Sequence, residues 1–96
     1  MAPTLLPGDR VLVDRGAYRG GPPKVGDLIV LADPEARVRW LVKRVSAVDR
    51  GRQLLEVRGD NADLARDSRS FGPVPIAAAA GRVYRRYYPP ERADDL

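Results

Sequence analysis

No apolar run in this 96-residue sequence lasts long before a turn-forming residue breaks it. The two longest are residues 28–32, closed by Asp33-Pro34, and residues 74–80, interrupted by Pro75. Nine glycines and nine prolines supply breaks along the whole chain. Glycine reaches backbone angles closed to other residues and proline withholds an N–H, so these breaks favour short strands joined by turns. A chain of this length makes one small domain, and its 44% hydrophobic content suits a folded core. The expected fold class is all-β and mainly antiparallel.

The strands follow from local pattern. Residues 9–14 come after the Pro7-Gly8 turn signal, with Val11 and Val13 alternating with Arg10, Leu12 and Asp14. Residues 16–23 are rich in Gly and Pro and form a loop, and residues 27–32 form a short buried strand. Residues 38–48 are the longest β-like segment, carrying Trp40, Leu41, Val42, Val45 and Val48. Asp49-Arg50-Gly51 marks a turn, after which residues 54–57 return as a hairpin partner. Residues 61–75 are polar and irregular, residues 77–80 hint at one helical turn, and residues 81–88 form the last strand. Pro89-Pro90 ends that strand, so residues 1–90 are expected to form the domain and residues 91–96 a flexible tail.

Composition removes several chemistries. The chain has no Cys and no His, which excludes disulfides, thiolate nucleophiles, a Ser-His-Asp triad and metal sites ligated by either residue. No metal or other cofactor is expected. A general base would have to be a carboxylate, a lysine or a terminal amine. The net charge of +4 permits contact with nucleic acid or anionic membrane, but basic residues are spread from Arg10 to Arg92, so a solvated surface is the default. No apolar stretch approaches the roughly 20 residues that span a bilayer, and Pro7-Gly8-Asp9-Arg10 interrupts any signal peptide. The expectation for the sequence as written is a soluble, cytoplasmic chain.

Of seventeen basic residues, only Lys24 and Lys43 are lysines. An arginine-rich codon bias accounts for that ratio, and Lys24 sits in a turn where a solvated charge needs no further reason. Lys43 lies inside Trp40-Leu41-Val42-Lys43-Arg44-Val45, with Leu41 and Val45 on its own face by period-two alternation. Apolar neighbours disfavour the ammonium form, so a lysine placed there drops from its usual pKa of about 10.4. Arginine keeps its proton and cannot act this way. Lys43 is thus either a strand lysine that snorkels to water or a general base for a serine hydroxyl.

Five segments in order bear on that choice: Met1-Ala2-Pro3-Thr4-Leu5 with Gly8-Asp9; Gly26-Asp27-Leu28-Ile29-Val30; Lys43-Arg44-Val45; Gly59-Asp60-Asn61 with Asp67-Ser68-Arg69; and Gly72-Pro73-Val74-Pro75 with Gly81-Arg82-Val83. Together they resemble the signal peptidase I family of serine/lysine endopeptidases over nearly the whole chain. The resemblance implies a small β-domain of the signal peptidase type, whose chemistry is shared by self-cleaving repressor domains. It makes Lys43 the general base and puts Leu5, Leu41 and Val42 in the pocket for a small residue before the scissile bond. Met1, Ala2 and Pro3 join that substrate-binding surface. Asp67 and Arg69 form an ion pair that, with Ser68 and nearby Arg44, shapes the wall of the site. The implied partner is a precursor protein or peptide in extended conformation, and a bacterial origin is expected.

Two positions depart from the family pattern. The nucleophilic serine of the motif belongs immediately before Met1, and a serine that orients the lysine is replaced by Ala65. Three readings follow. In the first, a segment upstream of Met1 supplies the serine, with or without a membrane anchor. The second is a pseudoprotease that binds extended peptide without cutting it. The third is a basic β-module that binds nucleic acid or anionic lipid through Arg82, Tyr84, Arg85, Arg86, Tyr87 and Tyr88, although such residues more often protect an edge strand. Short relatives that mature nickel superoxide dismutase have a similar compact length, yet no residue here identifies a substrate.

Overall fold

Period-two alternation of apolar side chains sorts the central strands into a buried and an open face. The computed structural model describes residues 9–59 and 71–96. Its strands are β1 (Arg10–Asp14), β2 (Leu28–Asp33), β3 (Ala36–Asp49), β4 (Leu54–Arg58), β5 (Val74–Pro75), β6 (Ala79–Tyr88) and β7 (Asp94–Asp95). All pairings are antiparallel, in the order β1-β6-β2-β3-β4-β5, with β7 added on β6. The all-β, antiparallel class read from sequence is the observed one. Single turns of 3-10 helix lie at Ile76–Ala78 and Pro90–Arg92.

β3 is long enough to serve two neighbours. Its first part pairs with β2, from Ala36 to Arg44, and its second part pairs with β4, from Arg44 to Asp49. An irregularity between Val45 and Ala47 bends it between the two ladders, where the Ser46 hydroxyl donates to the Glu56 carbonyl at 3.1 Å. One face of this curved sheet buries Ile29, Leu31, Val45, Leu55, Val57 and Val74 as a single cluster. Tyr18, Leu41, Phe71 and Ile76 pack around it.

β6 closes the other side of the sheet, and Gly81 is the residue that lets β1 approach it. A Cβ at position 81 would stand 2.6 Å from Val13 Cγ1 and 2.9 Å from the Asp14 carbonyl oxygen, closer than packed atoms sit. Only glycine fits there without moving β1.

The segment expected as a tail is arranged differently. After Pro90–Arg92 the chain turns back, and β7 aligns Asp95 with Arg85 and Asp94 with Arg86. The Arg85–Asp95 and Arg86–Asp94 ion pairs measure 2.7 and 2.6 Å, and the Leu96 amide donates to the Tyr84 carbonyl at 3.0 Å. Two adjacent arginines meeting two adjacent aspartates is a pairing between separated segments, which local periodicity does not register.

Candidate functional site

Lys43 stands in β3 directly opposite Ile29 of β2, with Leu41 and Val45 on the same face by alternation. Ile29 is fully buried, Val45 nearly so, and Lys43 keeps only 7% of its surface exposed. Four strands contribute to its cross-strand row: Lys43 faces Ile29, Ile29 faces Arg82 of β6, and Arg82 faces Asp14 of β1. The lysine stem therefore runs into the apolar side of the sheet rather than out to water.

Two motifs that are distant in sequence are tied together beside it. Gly26 and Val45 exchange backbone contact through Gly26 N to Val45 O, and Val45 N donates to Asp27 O, both at 2.8 Å. The Arg44 guanidinium donates to the Gly26 carbonyl at 2.9 Å. Gly26 has φ +96°, a conformation that L side chains resist, and so makes the turn into β2. The Asp27 carboxylate then fastens this turn to its surroundings. It accepts the Tyr18 hydroxyl at 2.9 Å and the Lys24 amide at 3.1 Å, and lies 3.7 Å from Arg82 Nε. Partial burial and the neighbouring Asp27 carboxylate push the Tyr18 hydroxyl well above its ordinary pKa.

The expected site residues separate in two ways. Leu41 and Lys43 share the buried face, whereas Val42 and Arg44 alternate to the other, where Val42 stands opposite Val30. Met1, Ala2, Pro3 and Leu5, together with Asp67, Ser68 and Arg69, lie outside the described residues, as do Asp60, Asn61 and Ala65. The open face holds a feature that the sequence reading treated only as strand hydrophobicity. Trp40 is 64% exposed there, and with Val13, Arg15, Val30 and Ala80 it lines a groove of about 410 Å³. Its position opposite Ala32, on the face away from Leu31 and Ile29, was the available signal.

A second opening is a strand edge. Val45 directs its N–H and C=O toward the β2 side. By ladder alternation, Val42 and Trp40 direct theirs the other way, toward the side that β4 occupies only from Arg44 onward. Among the described residues no strand pairs with β3 there. Also among the described residues, no group of acidic side chains is arranged to hold a metal ion, and no helix is long and apolar enough to cross a membrane.

Residues 1–50 match the family described as signal peptidase, peptidase S26. Similar proteins include the mitochondrial ATP-independent inner membrane protease subunit 1a of Arabidopsis thaliana, 30% identical over 95% of this chain and 67% of that protein. The mitochondrial inner membrane protease subunit 1 of Xenopus tropicalis is 44% identical over 69% of this chain and 36% of its own length. Probable signal peptidase I-1 of Synechocystis sp. is 28% identical over 100% of this chain and 70% of its own. This chain thus spans about two thirds of the Arabidopsis protein and about a third of the Xenopus one. Plant, animal and cyanobacterial relatives together do not single out a bacterial source.

Proposed function

This chain belongs to the signal peptidase family, peptidase S26, and from that premise we propose that it is the frame of a serine-type endopeptidase in which Lys43 is the general base. The observation that carries this reading is the placement of Lys43. It is a buried lysine on the apolar face of β3, next to the knot of Gly26, Asp27 and Val45. Apolar surroundings favour the neutral amine over the ammonium ion, and only a neutral amine can take a hydroxyl proton. The family motif puts the nucleophilic serine directly before Met1. In the reaction, Lys43 Nζ accepts the serine Oγ proton as Oγ attacks the scissile carbonyl, then passes it to the leaving amine. Water, activated in the same way, releases the acyl group.

The substrate of this reading is an extended segment of a precursor protein with small side chains before the cut. An edge of β3 supports the binding of such a segment. The Trp40–Val42 edge of β3 offers backbone N–H and C=O groups one residue from Lys43, so an added strand would run past the base. The same edge supports the second reading, peptide capture without cleavage, and the two separate in one assay. The chain is prepared with a serine directly before Met1 and given a peptide with an Ala-x-Ala sequence. Cleavage by this form, and none by its Lys43→Arg variant with the same fold by circular dichroism, is the expected result. Full cleavage by Lys43→Arg sinks the assignment. Binding without cleavage by the parent form points to the peptide binder.

A further inference from the structure

Among the described residues, two arginines and no carboxylate line a cleft of about 520 Å³ beside the turn between β3 and β4. That volume falls within the range of about 300–1,000 Å³ usual for small-molecule sites. The loop after β1 contributes Tyr18, Arg19, Gly20 and Gly21, and the turn contributes Arg50, with Ile76 beyond it. The neighbouring acids are engaged elsewhere. Asp14 accepts the Gly16 amide at 2.9 Å, Asp27 holds Tyr18, Lys24 and Arg82, and Asp49 accepts the Arg52 amide at 3.1 Å. Ion pairs among the described residues engage Arg52, Arg82, Arg85, Arg86 and Arg92, but neither Arg19 nor Arg50. The frame under the two arginines is nevertheless held. Gln53 has φ +57°, in the left-handed region; its Nε2 donates to the Arg50 carbonyl at 2.7 Å, and its own carbonyl accepts the Ile76 amide at 2.9 Å. On the other side the Arg19 amide donates to the Gly16 carbonyl at 3.3 Å. A Cβ at Gly20 or Gly21 would meet nothing within 4 Å, so the main chain there is open to an approaching group.

We propose that this cleft binds the phosphate group of a phosphate monoester, with Arg19 and Arg50 on its oxygens and Tyr18 and Ile76 against the organic body that carries it. Charge selects the ligand class. Two guanidiniums lining one cleft call for about two negative charges, and a phosphate monoester carries about −1.5 to −2 at neutral pH on three acceptor oxygens. A carboxylate brings one charge and two oxygens, which one guanidinium fork already satisfies. The lining also selects against a bare ion. The Tyr18 hydroxyl is committed to Asp27, so its ring is the part left to meet a ligand, and Ile76 adds an aliphatic surface. A soluble phosphate ester and a lipid headgroup can both supply this chemistry. The cleft shares no lining residue with the row around Lys43, and the proposal stands whether or not that lysine is a base.

Calorimetric titration of the 96-residue chain with phenyl phosphate tests the site, with inorganic phosphate and benzoate as comparisons. Phenyl phosphate should bind saturably, inorganic phosphate more weakly for want of a ring, and benzoate about tenfold more weakly or worse. Amide resonances of Gly20, Gly21 and Gln53 should shift with the same saturation. Arg19→Gln and Arg50→Gln, both at exposed positions, should each weaken binding about tenfold and leave the rest of the spectrum in place. Lys24→Gln removes the same unit of charge from the same loop but outside the cleft, and should bind like the parent. Phosphatidylcholine vesicles with and without phosphatidic acid separate the two sources. Sedimentation that needs phosphatidic acid, and is lost in Arg19→Gln, assigns the site to a headgroup; phenyl phosphate binding without sedimentation assigns it to a soluble ester. Absence of binding to both probes overturns the proposal. So does undiminished binding by the Arg19→Gln, Arg50→Gln double variant, or a loss in Lys24→Gln as large as in the arginine variants, since general charge would then be the cause. Benzoate binding as tight as phenyl phosphate overturns the phosphate class.

Discussion

Lys43 stands opposite Ile29 in the β2–β3 ladder, a lysine with 7% exposure facing an isoleucine with none. This relationship bears on the two roles the sequence leaves open for the lysine. A snorkelling lysine carries its stem across apolar surface and delivers its nitrogen to water. In this chain the whole residue lies under the sheet, in line with the core cluster of Ile29, Leu31 and Val45.

If packing does not require the charge, Lys43→Met should keep the fold. Methionine matches the unbranched stem in length and volume, and volume-conserving exchanges usually cost less than about 1.5 kcal/mol. Urea unfolding should remain cooperative, with stability within about 1 kcal/mol of the parent or above it. A loss of about 3 kcal/mol or more would show that the interactions of Lys43 hold the sheet together.

Gly81→Ala tests the approach of β1 to β6. Its new methyl would meet Val13 Cγ1 at 2.6 Å and the Asp14 carbonyl oxygen at 2.9 Å. Overpacking of this kind costs about 1–3 kcal/mol, read as a lower denaturation midpoint. Val13→Ala in the same chain should recover only part of the loss, because trimming the side chain leaves the Asp14 carbonyl where it was. Full recovery would show that the backbone contact is easily relieved.

These two cases show which parts of the molecule could be read in advance. Alternation around Ile29, Leu31, Leu41, Lys43 and Val45 identified β2 and β3 and the face of the lysine, because strand periodicity is local and core burial enforces it. Strand ends differed slightly: residues 28–33 against the expected 27–32, and 36–49 against 38–48. Ladder bonds at Asp33 and Ala36 extend the hairpin past the apolar run. Partnerships between distant segments were not legible. Gly81 reads as one more glycine until β1 is laid against it, and Asp94-Asp95 reads as a frayed end until Arg85-Arg86 is beside it. The exposure of Trp40 belongs to the same class, since the sheet face it occupies is fixed by what covers the other.

Tyr18 makes stability depend on pH at the alkaline end. Its hydroxyl is raised above the usual value of 10.0 by burial first and by the hydrogen bond to Asp27 second. The folded state therefore holds this proton more tightly than the unfolded chain does. Its contribution is fully present below pH 10 and is lost as the pH rises above that value, where the unfolded chain ionises first. Tyr18→Phe should cost about 1 kcal/mol at neutral pH through loss of the hydrogen bond and should remove this part of the alkaline decline. Identical alkaline slopes in the two proteins would exclude Tyr18 as the source.

Asp27 holds the loop before β2 to the strand that carries Lys43, and graded substitutions should separate its bonds. Its carboxylate serves Tyr18, the Lys24 amide and Arg82, while its main chain pairs with Val45. Asp27→Ala removes all three side-chain contacts and strands the Tyr18 hydroxyl in a half-buried place, a loss of about 2–3 kcal/mol. Asp27→Asn keeps an acceptor of the same shape and gives up the charge facing Arg82. That pair is partly exposed at 3.7 Å, so its loss should cost about 1 kcal/mol or less. Thermal melts should therefore rank the parent first, then Asp27→Asn, then Asp27→Ala. Because the Val45 bonds are main-chain, amide exchange at Val45 should stay slow in Asp27→Asn. Fast exchange there would mean that the carboxylate, rather than the positive-φ turn at Gly26, sets the path of the chain into β2.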